Sequence, residues 1–310
     1  MGQYSRLFRA LTVTLAIAAA MLVNGCGRAT DGTEAVRPPG TQAKPTVASL
    51  VPSMTDVLLQ MGVREQIVGV SNYDPATPDR AGLPRVGDYH TVDWEQLTAI
   101  RPGVLVIPRP KQEQAAVFAE RATSLGITLV DVHVDRLDDL YPAISRLGEA
   151  IGAAGPAAEL IKKMESDLKA IQIRVQKSPK VRTLIAIDES AQYIVGPGNF
   201  LDDLLSIAGG TNIAGGFSKD FPKIDREKLL EMDPEAVIQF MPDAPPQVLE
   251  SAKRFWAGLP QLQAVRNSRV YLHSEPYLLL PGPSVTKVAE TMANDLHPLT
   301  SPGGPTTTVR

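Results

Sequence analysis

From about residue 45 to residue 297, short apolar runs alternate with stretches whose apolar residues recur at helical spacing. Residues 46–50, 67–70, 104–107 and 128–132 form runs too short for helices and rich in Val, Ile and Leu, which predicts buried strands. Between them, periodicity near 3.6 predicts helices over 53–61, 94–100, 113–125 and 137–151. The scheme then starts again, with strands over 183–187, 236–240 and 270–272 and helices over 201–208, 226–232, 247–257 and 284–295. Strands alternating with helices predict an α/β protein with parallel sheets.

The two runs of this pattern are separated by a charged stretch, residues 156–176, in which Leu160, Ile161, Met164, Leu168 and Ile171 share one helical stripe and Ser178-Pro179 marks the exit. At ~1.5 Å per residue such a helix is roughly 30 Å long. The organisation expected is a first α/β lobe over 45–154, a linking helix over 155–178 and a second α/β lobe over 179–297. That is two Rossmann-like lobes joined by a single long backbone helix. The competing arrangement is one large domain with a long surface helix. A single rigid connection predicts only a few degrees of lobe rotation.

One phrase occurs twice, 132 residues apart. Asp93-Trp94-Glu95-Gln96-Leu97 runs to Pro102 and an apolar strand, and Asp225-Arg226-Glu227-Lys228-Leu229 runs to Pro234 and another. Each Asp is placed to cap a short helix, each Leu faces inward, and each Glu lies in the first turn. The chain therefore predicts two similar halves, each displaying one carboxylate at a corresponding place.

The first residues change the setting. Arg6 and Arg9 precede an uncharged stretch, residues 10–23, that suits a signal-peptide core and is too short to span a bilayer. Val23-Asn24-Gly25-Cys26 then resembles a bacterial lipobox, so residues 1–25 are expected to be a lipoprotein signal and Cys26 the lipidated residue. Cys26 is the only cysteine, which excludes an internal disulfide. Residues 26–44 read as a disordered tether and 298–310 as a flexible tail. The expectation is an exported protein held to a bacterial membrane through its lipid, facing the periplasm or exterior. Removing residues 1–25 moves the formal charge from −3 to −5, which argues against a nucleic-acid partner.

Several segments together carry a family resemblance. The stretch from Val47 through Pro52-Ser53-Met54-Thr55-Asp56 to Leu58, then Met61-Gly62, Ile67-Val68-Gly69-Val70, Leu83-Pro84-Arg85-Val86-Gly87 and Asp93-Trp94-Glu95 resemble the opening of the helical-backbone (class III) substrate-binding proteins. These serve ABC importers of cobalamin, iron–siderophores and related metal chelates. The resemblance covers residues 45–297 and implies a receptor that closes two lobes on a small-molecule chelate and docks on an ABC permease dimer with its ATPase. It implies that Glu95 and Glu227 are the docking residues, each engaging arginines of one permease subunit. No cofactor is expected, and a monomer is.

Ligand sites in open α/β sheets lie at the carboxyl ends of the strands. That rule nominates Pro52, Ser53, Tyr73, Asp74, Tyr89 and Arg109 on the first lobe, and Tyr193, Phe221, Glu275 and Tyr277 on the second. The aromatics suit the flat face of a macrocycle, with Asp74, Arg109 and Glu275 fixing polar groups at its rim. The placing of Tyr73, Tyr89, Tyr193, Phe221 and the Glu275/Tyr277 pair resembles that of a cobalamin receptor. The chain departs from that pattern at Pro108 and at Pro281-Gly282-Pro283-Ser284, which lacks a basic residue.

Four rival readings remain. Ferric siderophores and haem are anionic and need convergent cations, whereas Arg109 is the one firm cation, with Arg85, Lys111 and Lys223 as helpers. A naked metal ion would need His90, His133 and His273 with Asp188 or Glu275, yet no short His spacing supports it. A hydrolase would use Ser190 in Asp188-Glu189-Ser190, outside any Gly-x-Ser-x-Gly elbow. A tethered scaffold would need no ligand at all.

Overall fold

In the computed structural model, the residues described are 44–218 and 221–298. The expected signal, Cys26, the tether up to residue 43 and the tail beyond Pro298 lie outside the described residues. The first half runs β1 (Val47–Ser49), α1 (Pro52–Gln60), β2 (Ile67–Gly69), α2 (Trp94–Ile100), β3 (Val104–Pro108), α3 (Gln112–Ser124), β4 (Thr128–Val132) and α4 (Leu137–Ala150). A long helix follows, α5 (Ala154–Val175), which starts slightly before the predicted stretch and carries Pro156 in its first turn, where no backbone N–H is needed. The second half runs β5 (Val181–Ala186), α6 (Phe200–Ile207), β6 (Gly210–Asn212), α7 (Arg226–Met232), β7 (Ala236–Phe240), α8 (Pro246–Ala257), α9 (Gln263–Arg266), β8 (Val270–His273) and α10 (Val285–Leu296).

Each half builds a four-stranded parallel sheet, and the two strand orders are the same: β2-β1-β3-β4 and β6-β5-β7-β8. The two-lobed α/β architecture expected from the sequence is the architecture found. β6 and α9 were not expected. Gly210-Thr211-Asn212 contains no apolar run; it is a strand because Val181 pairs with Gly210 and Thr183 with Asn212.

The repeated phrase is one structure made twice. Asp93 accepts the Gln96 N–H at 2.9 Å, and Asp225 accepts the Lys228 N–H at 2.8 Å, so each caps its helix. Each helix ends on a left-handed residue, Arg101 (φ 46°) and Asp233 (φ 38°), whose N–H returns to the carbonyl of Leu97 or Leu229. Pro102 and Pro234 then prevent continuation. In both copies the chain is turned straight into the strand next to the sheet centre.

Alternation along the strands separates three apolar clusters. On β3, Val104 and Val106 face one cluster while Leu105 and Ile107 face another. On β5, Ile185 joins the same cluster as Val104, whereas Leu184 and Ala186 join a third. The shared cluster spans both sheets and runs through Leu160, Met164, Leu168, Ile171 and Val175 of α5. The other two belong to one lobe each. The lobes are further tied where Arg136 forks onto Asp203 of α6, with Nε to Oδ2 at 2.9 Å, and the same Oδ2 accepts the Leu137 N–H at 3.0 Å. Beyond them, Gly282 lies so close to α1 that a Cβ there would stand 3.1 Å from the Ser53 carbonyl.

A cluster shared in this way should make the two lobes one cooperative unit. The chain's two tryptophans lie one on each lobe, Trp94 on α2 and Trp256 on α8. Urea transitions followed by Trp94 in Trp256→Phe and by Trp256 in Trp94→Phe should each coincide with the far-ultraviolet circular dichroism transition of the same variant. A lobe that melts separately by its own reporter would contradict the common core.

Candidate functional site

Two loops at the carboxyl ends of the first sheet present a pair of tyrosines, and the local chemistry of each loop explains its shape. In the first, Ser71 hydroxyl accepts the Tyr73 N–H at 3.2 Å and the Asp74 carboxylate accepts the Ser71 N–H at 2.9 Å. In the second, Gly87 has φ +113° and a Cβ there would lie 2.1 Å from the Thr91 carbonyl, so glycine is required. Asp88 closes that turn by accepting the N–H groups of His90 and Thr91, each at 2.9 Å, and those bonds hold its carboxyl below the usual aspartate range. Asn72 joins the loops, donating its N–H to the Gly87 carbonyl at 2.7 Å and its side-chain amide to Asp88 at 3.2 Å. As a result Tyr73 and Tyr89 stack, with ring centroids 5.9 Å apart and planes 24° from parallel. Their exposures are 58% and 45%, high for aromatic side chains in a closed fold.

These rings stand in a cleft of about 580 Å³ between the lobes. Pro52, Asp56 and Gln60 of α1 form its wall on the first lobe. The second lobe supplies Asp243, Pro276, Tyr277, Leu280, Ser284 and Lys287. Lys287 lies over the Tyr277 ring, 5.4 Å from its centroid. Burial raises the phenol pKa of Tyr89, helped by the negative charge of Asp74, and burial likewise raises that of Tyr277, helped by Glu275.

Four of the predicted lining residues, Pro52, Tyr73, Tyr89 and Tyr277, therefore meet in one cleft. The others stand elsewhere. Asp74 is buried and takes part in an ion pair with Arg80 at 3.0 Å while accepting the Thr55 hydroxyl at 3.1 Å, so it anchors the Tyr73 loop from behind and does not reach a guest. Ser53 is buried beneath Gly282. Arg109 pairs with Asp131 at 3.2 Å and lines an adjoining recess of about 330 Å³, reached past Tyr89 and also lined by Lys111. Tyr193, under the Lys223 ammonium at 5.7 Å, and Phe221 are exposed on the second lobe but do not line the cleft. Glu275 is exposed beside Tyr277 and is likewise not a lining residue. The helper Arg85 is spent on the Ser71 and Asp74 carbonyls.

Asp243 and Lys287 were missed. Asp243 stands two residues past Met241, the counterpart of Arg109 in the 132-residue repeat, and so at the place of Lys111; its φ of +58° holds it in the left-handed region. Lys287 sits on α10, and nothing local marks which face of that helix looks into the cleft. The metal and hydrolase candidates have other partners: His133 pairs with Asp135 and His273 with Asp295, each at 2.7 Å, and Asp188 holds its own loop through the N–H groups of Ser190 and Tyr193. Among the described residues no three His, Cys, Asp or Glu side chains converge as a metal site.

Two lobes of equal topology, a connecting helix and an aromatic cleft between them define a two-lobed binding protein. A profile of the periplasmic binding protein family matches residues 47–277, and the chain belongs to that family. Its members are substrate-binding components of transport systems. An uncharacterised ABC transporter substrate-binding lipoprotein of Bacillus subtilis is 24% identical over 306 residues, covering 90% of this chain and 94% of the relative. The vitamin B12-binding protein of Vibrio cholerae serotype O1 is 21% identical over 262 residues, covering 83% and 92%. Among solved structures, the periplasmic vitamin B12 binding protein of Vibrio cholerae superposes with a TM-score of 0.68 at 20% identity, covering 82% of this chain and 96% of that one. The periplasmic haem-binding protein of the same organism superposes with a TM-score of 0.71 at 18% identity, covering 82% and 99%. These two structural likenesses concern the fold. Among the described residues no helix is long and apolar enough to cross a membrane.

Removing the Asp74 carboxylate leaves Arg80 buried with its innermost partner gone. Asp74→Ala should cost roughly 3–5 kcal/mol, as breaking a buried ion pair does, measured by urea denaturation. A variant as stable as the wild type would show that Asp74 is not the anchor of the Tyr73 loop.

Proposed function

We propose that the protein is the lipid-anchored extracytoplasmic receptor of an ABC importer and that its ligand is a corrinoid, cobalamin in particular. The observation that carries this reading is the Tyr73–Tyr89 stack sharing one interlobe cleft with Tyr277. A corrinoid is a broad macrocycle rimmed by uncharged carboxamides, and aromatic walls with a few polar groups suit it. Charge separates the ligand classes. Of the cleft's cations, Arg80 is already surrounded by Asp56, Asp74 and Asp79, which leaves Lys287 to face an anion while Asp56 and Asp243 oppose one. Ferric siderophores and haem, with their carboxylates or other anionic groups, fit that balance less well than a neutral rim does. The vitamin B12-binding relatives support the same choice.

Haem is the second reading, favoured by three phenols in the cleft, any of which offers a ligand to ferric iron. Against it, burial pushes the Tyr89 and Tyr277 phenols up and so disfavours the phenolate. Calorimetric titration of the full chain in detergent with cyanocobalamin, cobinamide, haem and ferric siderophores separates these readings. Corrinoids should bind most tightly, and Tyr89→Ala should weaken them by at least about tenfold. Tight binding of haem with none of cobalamin would overturn the corrinoid reading.

Docking follows from the repeat. Glu95 and Glu227 occupy the second position of α2 and α7, both are exposed, and neither has an ion-pair partner among the described residues. A permease with two equivalent subunits offers two equivalent basic sockets, and matched carboxylates on matched helices meet them. Glu95→Ala and Glu227→Ala together should abolish uptake in cells while leaving ligand affinity unchanged. Uptake at wild-type rate in the double variant would remove the docking role.

A further inference from the structure

The helix α1 faces the cleft along one side, where Pro52, Asp56 and Gln60 recur every four residues. Pro52 brings apolar surface and Gln60 an exposed amide, so Asp56 is the charged group that this helix offers a guest. Its carboxylate is unusually well placed. One oxygen, Oδ1, accepts from the terminal nitrogen of Arg80. Arg80 is itself fixed, with Nε on Asp74 at 3.0 Å and its other terminal nitrogen on Thr77 at 2.9 Å and Asp79 at 3.2 Å. The second oxygen, Oδ2, has no hydrogen-bond partner among the described residues, and it is not sealed away, because no buried side-chain oxygen or nitrogen among them lacks a partner. With its side chain 26% exposed, Asp56 opens this second oxygen to the cleft. Burial raises the pKa of Asp56 above the usual aspartate value and the Arg80 guanidinium opposes that rise; the hydrogen bond from Arg80 holds the carboxylate in place.

An acceptor held this way asks for a donor. A carboxamide presents two N–H groups, whereas a carboxylate presents acceptors alone and a like charge. We propose that Asp56 is a specificity-determining residue of the cleft, its free oxygen receiving a carboxamide N–H from the rim of the macrocycle and rejecting a carboxylate at the same place. This rests on the corrinoid reading above. Arg80 gives the idea a directional test, because a guanidinium is a donor only. In Asp56→Asn, Arg80 keeps the side-chain carbonyl oxygen and turns the NH₂ group toward the cleft. The variant should therefore lose its preference for the amide and favour the acid.

The experiment is calorimetric titration of the full chain in detergent, wild type and Asp56→Asn, with cyanocobalamin and with each of its monocarboxylic acids obtained by mild hydrolysis of the peripheral amides. The wild type should bind cyanocobalamin about tenfold or more tighter than one of the acid isomers. For that isomer the ratio should collapse or invert in Asp56→Asn. Equal affinity of the wild type for the amide and every acid, or an unchanged ratio in the variant, overturns the role of Asp56 and leaves the corrinoid reading standing. A wild type that binds no corrinoid overturns both. If Asp56→Asn does not fold, as judged by its circular dichroism, the wild-type series alone decides.

Discussion

The structure depends on the apolar stripe of α5. Leu160, Met164, Leu168, Ile171 and Val175 belong to a cluster that also contains Val104 of the first sheet and Ile185 of the second, so neither sheet completes its core without that helix. A helix of this kind is a strut. Turning one lobe against the other by a large angle would pull side chains out of a close-packed interior, where even small gaps are costly. Arg136 on Asp203 and the close approach of Gly282 to Ser53 add two further ties between the halves. The two walls of the cleft therefore rest on one shared core.

A second constraint is the burial of charge. Arg80 lies almost wholly inside the first lobe, and three aspartates satisfy it from different sides. Two of them serve the cleft without resembling each other in position: Asp74 holds the Tyr73 loop from beneath, and Asp56 stands in the wall. A buried cation that must be paired thus fixes both an aromatic platform and a polar contact. On the opposite wall the cleft carries Lys287, held over the Tyr277 ring.

Much of this was legible in the chain. The repeated phrase announced twin helices with caps, and both formed over the expected residues because a cap, a left-handed exit and a following proline act within a single turn. Tyr73 and Tyr277 were nominated by their places after strands and Tyr89 by its place before the repeated helix, and the three line one cleft; Tyr193, nominated with them, does not. Asp74 was misread for a physical reason: a loop carboxylate next to a tyrosine looks exposed in sequence, and its burial depends on Arg80 folding back over it from a neighbouring short helix, Pro78–Arg80. Arg109 was expected to line the cleft, but its partner Asp131 comes from the adjacent strand and Arg109 lines an adjoining recess instead. β6 escaped notice because its only claim to be a strand is the partner it pairs with.

The sequence by itself determined the alternation of strands and helices, the duplication of one half in the other, the apolar stripe of the linking helix and the outward display of Glu95 and Glu227. All of these are set by neighbours within a few residues or by a period along the chain. Which carboxylates are buried, which tyrosines stack, and which of the remaining aromatics and charges stand in the cleft were decided only in three dimensions. Burial and facing are properties of groups brought together from distant parts of the chain, as when Asp56, Arg80 and Lys287 line one cleft, and no local pattern encodes that meeting.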